Sequence, residues 1–127
     1  MTRLILDAGA LVAWERADRS MVAALEVAQR YRLDLRTTGI VVAQVWRDPA
    51  GRQARLARLL AAVDIVAVDE ALGRRAGELL GMTGTSDAVD ATVVAVAATG
   101  DRVLTSDVGD IERLASAAGL ALHVTRC

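Results

Sequence analysis

Short apolar runs alternate along this chain with longer segments in which apolar residues recur every three or four positions. The short runs predict buried strands, and the longer segments predict amphipathic helices. Strands are predicted at 3–7, 33–36, 65–68, 102–105 and 120–124, and helices at 8–16, 20–31, 40–46, 52–63, 70–80, 87–98 and 111–118. Because strands and helices alternate without a linker or repeat, we expect one domain over residues 1–127, an α/β fold of three layers with a mainly parallel central sheet flanked by helices.

Turn and capping residues separate the predicted elements. The segment 47–51 contains both a proline and a glycine and is the clearest break in the chain. Asp69 is expected to cap the helix that follows it, and Gly81 is expected to end that helix. Ser86 is the expected N-cap of the helix predicted at 87–98, which Gly100 follows.

Composition excludes several kinds of chemistry. Hydrophobic residues make up 54% of the chain, with two Trp, one Tyr and no Phe, so the core must be aliphatic. All 15 positive charges are arginines, which excludes a Walker lysine, a Schiff-base lysine and the lysine of a phospho-receiver. The net charge of −1 gives no overall basic field that would attract nucleic acid.

The compartment is predicted from cysteine usage and hydropathy. The single cysteine, Cys127, cannot form an internal disulfide and favours a reducing cytosol. The first residues make a poor signal peptide because they include an arginine and an early aspartate. The longest uncharged runs have about half of the roughly 20 residues that cross a bilayer. We therefore expect a cytoplasmic protein with no membrane association.

Three aspartates stand where a charge is costly unless something compensates it. Asp7 lies at the carboxyl end of the first predicted strand, Asp107 follows the strand predicted at 102–105, and Asp90 lies in an almost wholly apolar helix. The carboxyl ends of parallel strands border one crevice, so these side chains are expected to meet there. Grouped carboxylates repel one another unless a cation intervenes, and Mg2+ or Mn2+ prefers oxygen ligands. Such an ion can activate water and stabilise the charge that develops on a phosphodiester.

Helix capping is the alternative interpretation of each aspartate. Asp7 and Asp107 each precede a predicted helix, and an aspartate is a favourable N-cap. Asp87 would complement the helix dipole at the start of its helix. Asp110 lies three residues after Asp107, so it could face the same cavity or act as a cap.

Three segments resemble PIN-domain ribonucleases, and in particular the toxin subunits of VapBC toxin–antitoxin pairs. The segments are LILDAGALVAW, DATVVAVAA and RVLTSDVGDIERLA, and together they extend over nearly the whole chain in the family's order. The resemblance implies a PIN-like fold and an endoribonuclease that uses Mg2+ or Mn2+ and leaves 5′-phosphate and 3′-hydroxyl ends. It also implies RNA as substrate, a cognate antitoxin as partner, and a homodimer.

The resemblance also assigns roles to individual residues. It makes Asp7, Asp90 and Asp107 both catalytic residues and metal ligands, with Asp110 as a fourth ligand. Asp87 matches no core position of the family, and together with Gln44 and Thr105 it is expected to support these ligands without reaching the metal directly. One position departs from the family, because Gln44 stands where a glutamate is usual. Glutamine brings no charge, so a catalytically weak or inactive module that binds RNA or antitoxin remains an alternative.

Three further features of the sequence bear on other functions. A haloacid-dehalogenase-type phosphatase requires two aspartates one residue apart after the first strand, whereas this chain has Asp7-Ala8-Gly9. His123 lies far in sequence from the aspartates and is expected to be structural. Arg52, Arg55 and Arg58 share one helix face, which is either a solvated face or a contact for RNA phosphates or an acidic antitoxin segment.

Overall fold

The computed structural model describes residues 2–127, and five strands form one sheet in which every neighbouring pair is parallel. Their order across the sheet is β3-β2-β1-β4-β5. The strands are β1 (Arg3–Leu6), β2 (Asp34–Thr38), β3 (Val63–Val66), β4 (Arg102–Thr105) and β5 (His123–Arg126). The expected α/β fold with a mainly parallel sheet is confirmed.

Seven α-helices connect the strands. They are α1 (Ala8–Glu15), α2 (Arg19–Arg30), α3 (Gly39–Val45), α4 (Ala54–Leu60), α5 (Glu70–Thr83), α6 (Ala88–Ala95) and α7 (Val108–Ala117), with a short 3-10 turn at Pro49–Gly51. Helix α1 contacts α2 and α4, whereas α5, α6 and α7 contact one another, and α3 contacts both α1 and α6. Among residues 2–127, no helix is long and apolar enough to cross a membrane.

The strand order reverses between β1 and β4. The chain first builds outward from β1 through β2 to β3, then returns to the other side of β1 for β4 and β5. Right-handed crossovers then place successive helices on opposite faces of the sheet, which opens a crevice at the carboxyl ends of β1 and β4. The residues that follow these two strands, Asp7 and Asp107, therefore flank the crevice.

Aliphatic side chains fill the space between the sheet and both helix layers, as the composition requires. The central strands β1 and β4 are buried, with Ile5, Leu6 and Val103 fully excluded from solvent. Helix α6 is buried from Asp90 through Val94, which explains why its sequence is apolar on nearly every side.

Several predicted boundaries in the first half of the chain were wrong. The helix predicted at 52–63 begins at Ala54 and ends at Leu60, because Val63 pairs with Leu35 in the sheet. That pairing also places β3 two residues earlier than predicted. β2 starts one residue later than predicted and continues to Thr38, because its last residues still pair with β3.

The second half shows four similar differences. Helix α5 continues through Gly81 and ends at Gly84, whose φ of +68° is the left-handed conformation that terminates a helix. The N-cap of α6 is Asp87 and not Ser86. Helix α7 starts three residues earlier than predicted, and β5 starts three residues later, since its residues pair with β4 from Arg102 onward.

Candidate active site

Asp7 is buried at the junction of β1 and α1. It is the N-cap of α1, and its Oδ1 accepts a hydrogen bond from the Ala8 N–H at 2.7 Å. Its other oxygen, Oδ2, accepts a hydrogen bond from the Thr105 hydroxyl at 2.6 Å. Asp7 therefore caps α1, and its carboxylate also joins β1 to β4 through the hydrogen bond from Thr105.

Thr105 connects Asp7 to Asp107. Its fully buried hydroxyl donates to Asp7 and accepts a hydrogen bond from the Asp107 backbone N–H at 2.9 Å. Asp107 occupies the N-cap position of α7, but its side chain makes no capping hydrogen bond and is exposed. Because the carboxylate of Asp107 is not used for capping, it is available to a ligand in the crevice.

Asp90 reaches the crevice from α6. Its backbone N–H is capped by Asp87 Oδ1 at 3.0 Å, while its own side chain is only 3% exposed. Among the side chains of residues 2–127, Asp90 Oδ2 is the one buried oxygen or nitrogen atom with no hydrogen-bond partner. A buried carboxylate oxygen without a donor is unfavourable unless a cation or a proton satisfies it.

Asp7, Asp90 and Asp107 come together at the crevice. Each offers one carboxylate oxygen, and these three oxygens lie within 4.8 Å of one another. All three residues belong to the first turns or caps of helices α1, α6 and α7, whose positive dipole ends partly offset the charge. Three oxygen donors and an unsatisfied buried oxygen fit a hard divalent cation.

The carboxylates perturb one another's ionisation. Burial raises the pKa of Asp90 to about 7, and the charges of Asp7, Asp87, Asp107 and Asp110 contribute to the increase. Burial also raises the pKa of Asp7, although its hydrogen bonds from Thr105 and Ala8 act in the opposite direction. Asp90 therefore gains a proton as the pH falls through neutrality, unless a cation occupies the site.

Asp87 and Asp110 lie at the margin of this cluster. Asp87 is exposed and caps α6, and its charge raises the pKa of both Asp7 and Asp90. Asp110 also raises the pKa of Asp90, but its Oδ1 lies 3.4 Å from the Arg113 guanidinium. Neither belongs to the group of three oxygens that lie within 4.8 Å of one another.

Gln44 lies in the last turn of α3, where its side chain is exposed. The first turn of α3 is tied to the helix that carries Asp90, because the hydroxyls of Thr38 and Thr92 lie 3.1 Å apart. Both threonines are buried. The structure thus fixes the position of α3 against α6, while the role of Gln44 stays a prediction.

Two features near the site were not found from the sequence. A Cβ added to Gly9 would lie 2.7 Å from Ser106 Oγ, so the glycine permits the turn before Asp107 to pack on α1. Arg126 donates from Nη1 to the Ser106 carbonyl at 2.8 Å. The sequence does show an arginine near the last strand. It was not connected with the site because that strand was predicted to end at residue 124, whereas β5 continues to Arg126.

The three arginines that were predicted to share one helix face are divided, because Arg52 lies before α4, which begins at Ala54. Arg52 and Arg58 are exposed, as expected for a solvated face. Arg55 is half-buried, with its guanidinium 4.1 Å from the centroid of the Trp14 ring and its Nε donating to the Trp14 carbonyl at 2.7 Å. Arg55 therefore stabilises the packing of α4 against α1.

His123, which was expected to be structural, is exposed in β5.

This combination of a parallel sheet, a switch-point crevice and three aspartates is matched by a known domain family. The model of the PIN domain matches residues 4–116, and the chain therefore belongs to the PIN-domain family. PIN domains are generally nucleases.

One solved structure similar to this chain is the crystal structure of VapBC2 from Rickettsia felis bound to a DNA fragment from their promoter. The two chains share 16% sequence identity with a TM-score of 0.72, and the match covers 98% of this chain and 99% of that chain. At this identity the likeness concerns the fold. No curated protein sequence matches the chain significantly.

Proposed function

We propose that this protein is a metal-dependent endoribonuclease that acts as the toxin of a type II toxin–antitoxin system. The observation that carries the proposal is the grouping of Asp7, Asp90 and Asp107 within 4.8 Å, with one buried oxygen of Asp90 unsatisfied. Membership of the PIN-domain family supports the nuclease class, and the structural likeness to VapBC2 supports the toxin assignment.

In this proposal the three aspartates hold Mg2+ or Mn2+, with Asp110 contributing through its charge at the edge of the site. When bound there, such an ion would supply a water of lowered pKa and would stabilise negative charge on the phosphodiester. Thr105 holds Asp7 and Asp107 in a fixed relative position through its two hydrogen bonds. Hydrogen-bonded partners of this kind keep carboxylate ligands oriented for the incoming ion.

Cleavage of a mixed pool of RNA tests the proposal most directly. Purified protein free of antitoxin is incubated with Mg2+, with Mn2+ and with EDTA, alongside the variants Asp7→Asn and Asp34→Asn. Asp34 is exposed at the amino end of β2, on the opposite edge of the sheet, and serves as the matched control. We expect metal-dependent cleavage that Asp7→Asn loses and Asp34→Asn keeps. Absence of cleavage with either metal would contradict the nuclease.

The second candidate is a PIN-fold module that binds RNA or antitoxin with little or no turnover. Gln44 favours it, since this neutral residue stands where a glutamate is expected and leaves the site with three grouped carboxylates. The Gln44→Glu variant separates the two candidates. Activity that appears only in this variant supports the inactive module, whereas activity already present in the unaltered protein supports the nuclease.

We further propose that the protein binds a cognate antitoxin in a reducing cytoplasm and forms a homodimer. Support for a self-contact comes from an apolar cavity of about 510 Å3 lined by residues of α3, α5 and α6, beside the exposed side chains of Ile40 and Val68. Light scattering on purified protein tests the dimer, with Gly77→Arg expected to dissociate it. Co-purification with the product of an adjacent gene tests the antitoxin.

A further inference from the structure

The register of the sheet places the side chain of Arg126 two strands away from Asp7, next to the carboxylate site. Thr105 pairs with Arg126 across β4 and β5, and Leu6 pairs with Leu104 across β1 and β4. Continued by one residue, this register aligns Asp7, Thr105 and Arg126 on three neighbouring strands. Paired positions of parallel strands point to the same face, and strands are about 4.8 Å apart, so Arg126 lies about two strand spacings from Asp7.

The guanidinium of Arg126 is held at the turn that presents Asp107. Its Nη1 donates to the carbonyl of Ser106, the residue immediately before Asp107. Among residues 2–127, no carboxylate forms an ion pair with Arg126, and its side chain is exposed. The remaining N–H groups of the guanidinium are therefore free to bind an anion that approaches the site.

A groove runs along α1 and reaches Cys127, the residue that follows Arg126. It has a volume of about 380 Å3 and is lined by Gly9, Val12, Ala13, Arg16, Asp18 and Cys127. We name it the α1 groove. Its end nearest the carboxylates is marked by Gly9, which packs against Ser106, and by Cys127, the residue after Arg126. Its far end is marked by the exposed Arg16.

The side chains of Arg16 and Asp18 offset each other in the groove lining, and Arg126 beside it makes the net side-chain charge positive, which favours a polyanion. The one acidic lining residue, Asp18, is committed to capping α2, because its Oδ1 accepts the Met21 N–H at 3.0 Å. Arg16 and Arg126 have no such partner among the described carboxylates. Arginine binds phosphate through charge-assisted hydrogen bonds, and an all-carboxylate site repels an RNA strand unless cations lie next to it.

We propose that Arg126 and the α1 groove form the subsite that holds the RNA backbone next to the bond that is cleaved. Arg126 contacts the phosphate at the mouth of the groove, and Arg16 contacts a phosphate farther along it. This inference rests on the proposed nuclease function. It adds the path that the bound RNA strand follows away from the carboxylates. Arg126 is a binding residue here and takes no part in bond cleavage.

RNA binding to a cleavage-deficient protein tests the contact. Fluorescence anisotropy of a labelled, short single-stranded RNA is measured in Mg2+ on the Asp90→Asn background at several salt concentrations. Adding Arg126→Ala is expected to weaken binding about tenfold and to lower the slope of log affinity against log salt by about 0.7. Arg16→Ala is expected to have a smaller effect in the same direction. Arg30→Ala, at the far end of α2, is the control and should change neither quantity.

Steady-state cleavage separates binding from a structural role. In the otherwise unaltered protein, Arg126→Ala is expected to raise KM about tenfold and to leave kcat within about twofold, and Arg126→Lys should restore part of the loss. If Arg126 only supported the Ser106 carbonyl, its removal would displace Asp107. It would then lower kcat and the Mn2+ affinity without changing the salt slope, a result that overturns the subsite.

The subsite and the nuclease proposal fail in different ways. Protein that cleaves RNA equally well with and without Arg126 overturns the subsite and leaves the nuclease intact. Protein that cleaves no RNA but binds it with a salt slope that depends on Arg126 overturns the nuclease and supports the phosphate contact.

Discussion

Replacing Asp90 with asparagine should stabilise the metal-free protein at alkaline pH, although the residue is buried. The ionised carboxylate of Asp90 has an unpartnered oxygen and lies beside Asp7 and Asp107, so the folded state carries an uncompensated charge. Asparagine has nearly the same shape, brings no charge, and can donate a hydrogen bond to a neighbouring carboxylate. The substitution therefore removes a source of repulsion from the native state.

The magnitude follows from the pKa of Asp90, which rises from 3.8 to about 7 in the folded protein. Between these pH values the native state holds a proton that the unfolded chain has lost, so stability decreases as pH rises through this interval. At about 1.36 kcal/mol per pH unit, the interval corresponds to about 4 kcal/mol. Solvent at the exposed Asp107 side of the site weakens the repulsion, and we expect about 2 kcal/mol.

Urea unfolding in EDTA at several values between pH 5 and pH 8 measures this effect. The difference in unfolding free energy between Asp90→Asn and the unaltered protein should grow with pH and reach about 2 kcal/mol above pH 7. Asp34→Asn, exposed at the opposite edge, should show no such trend. Added Mg2+ should stabilise the unaltered protein alone. A difference that stays constant from pH 5 to pH 8 would refute the reasoning.

Three further substitutions test contacts of the fold, two of them beside the site and one at the amino end of β4. Thr105→Val removes both hydrogen bonds of the buried hydroxyl and should lower kcat by about 10- to 100-fold, with recovery in Thr105→Ser, as measured by RNA cleavage. Gly9→Ala places a methyl group 2.7 Å from Ser106 Oγ and should lower the unfolding free energy by about 1–2 kcal/mol in a urea titration. Asp101→Asn replaces one of two carboxylate oxygens that accept backbone N–H groups in a fully buried position, and should cost about 1–3 kcal/mol in the same assay. An unchanged kcat in the first case, or unchanged unfolding curves in the other two, would contradict these contacts.

The sequence was sufficient to predict those elements and site residues that a local pattern of apolar and charged residues defines. The contiguous apolar residues of β1 and β4 predicted short strands, and both were placed to within one residue. Once these strands were taken as parallel, Asp7 and Asp107 were expected at one edge of the sheet, where the structure has them. Asp90 was identifiable because a charge in an otherwise apolar helix is costly without a partner.

Properties that depend on pairing between distant segments were not predictable. The position of β3 was missed because Val63 continues the apolar pattern of α4, and only its pairing with Leu35 places it in the sheet. The role of Thr105 was only partly foreseen, since the sequence does not show that its hydroxyl also reaches Asp7. Arg126 was missed for the same reason, because its distance from the site depends on the register of β5.

The hydrogen bond between Thr105 and Asp7 joins residues 98 positions apart in the chain. Contacts of such long sequence separation form late, because a long loop must close before they contribute to stability. During synthesis, β1 and the carboxylate of Asp7 leave the ribosome long before β4 exists to complete their surroundings. The three carboxylates therefore cannot assemble in a partly made chain, and any activity of this site begins only when nearly the whole domain has been synthesised and folded.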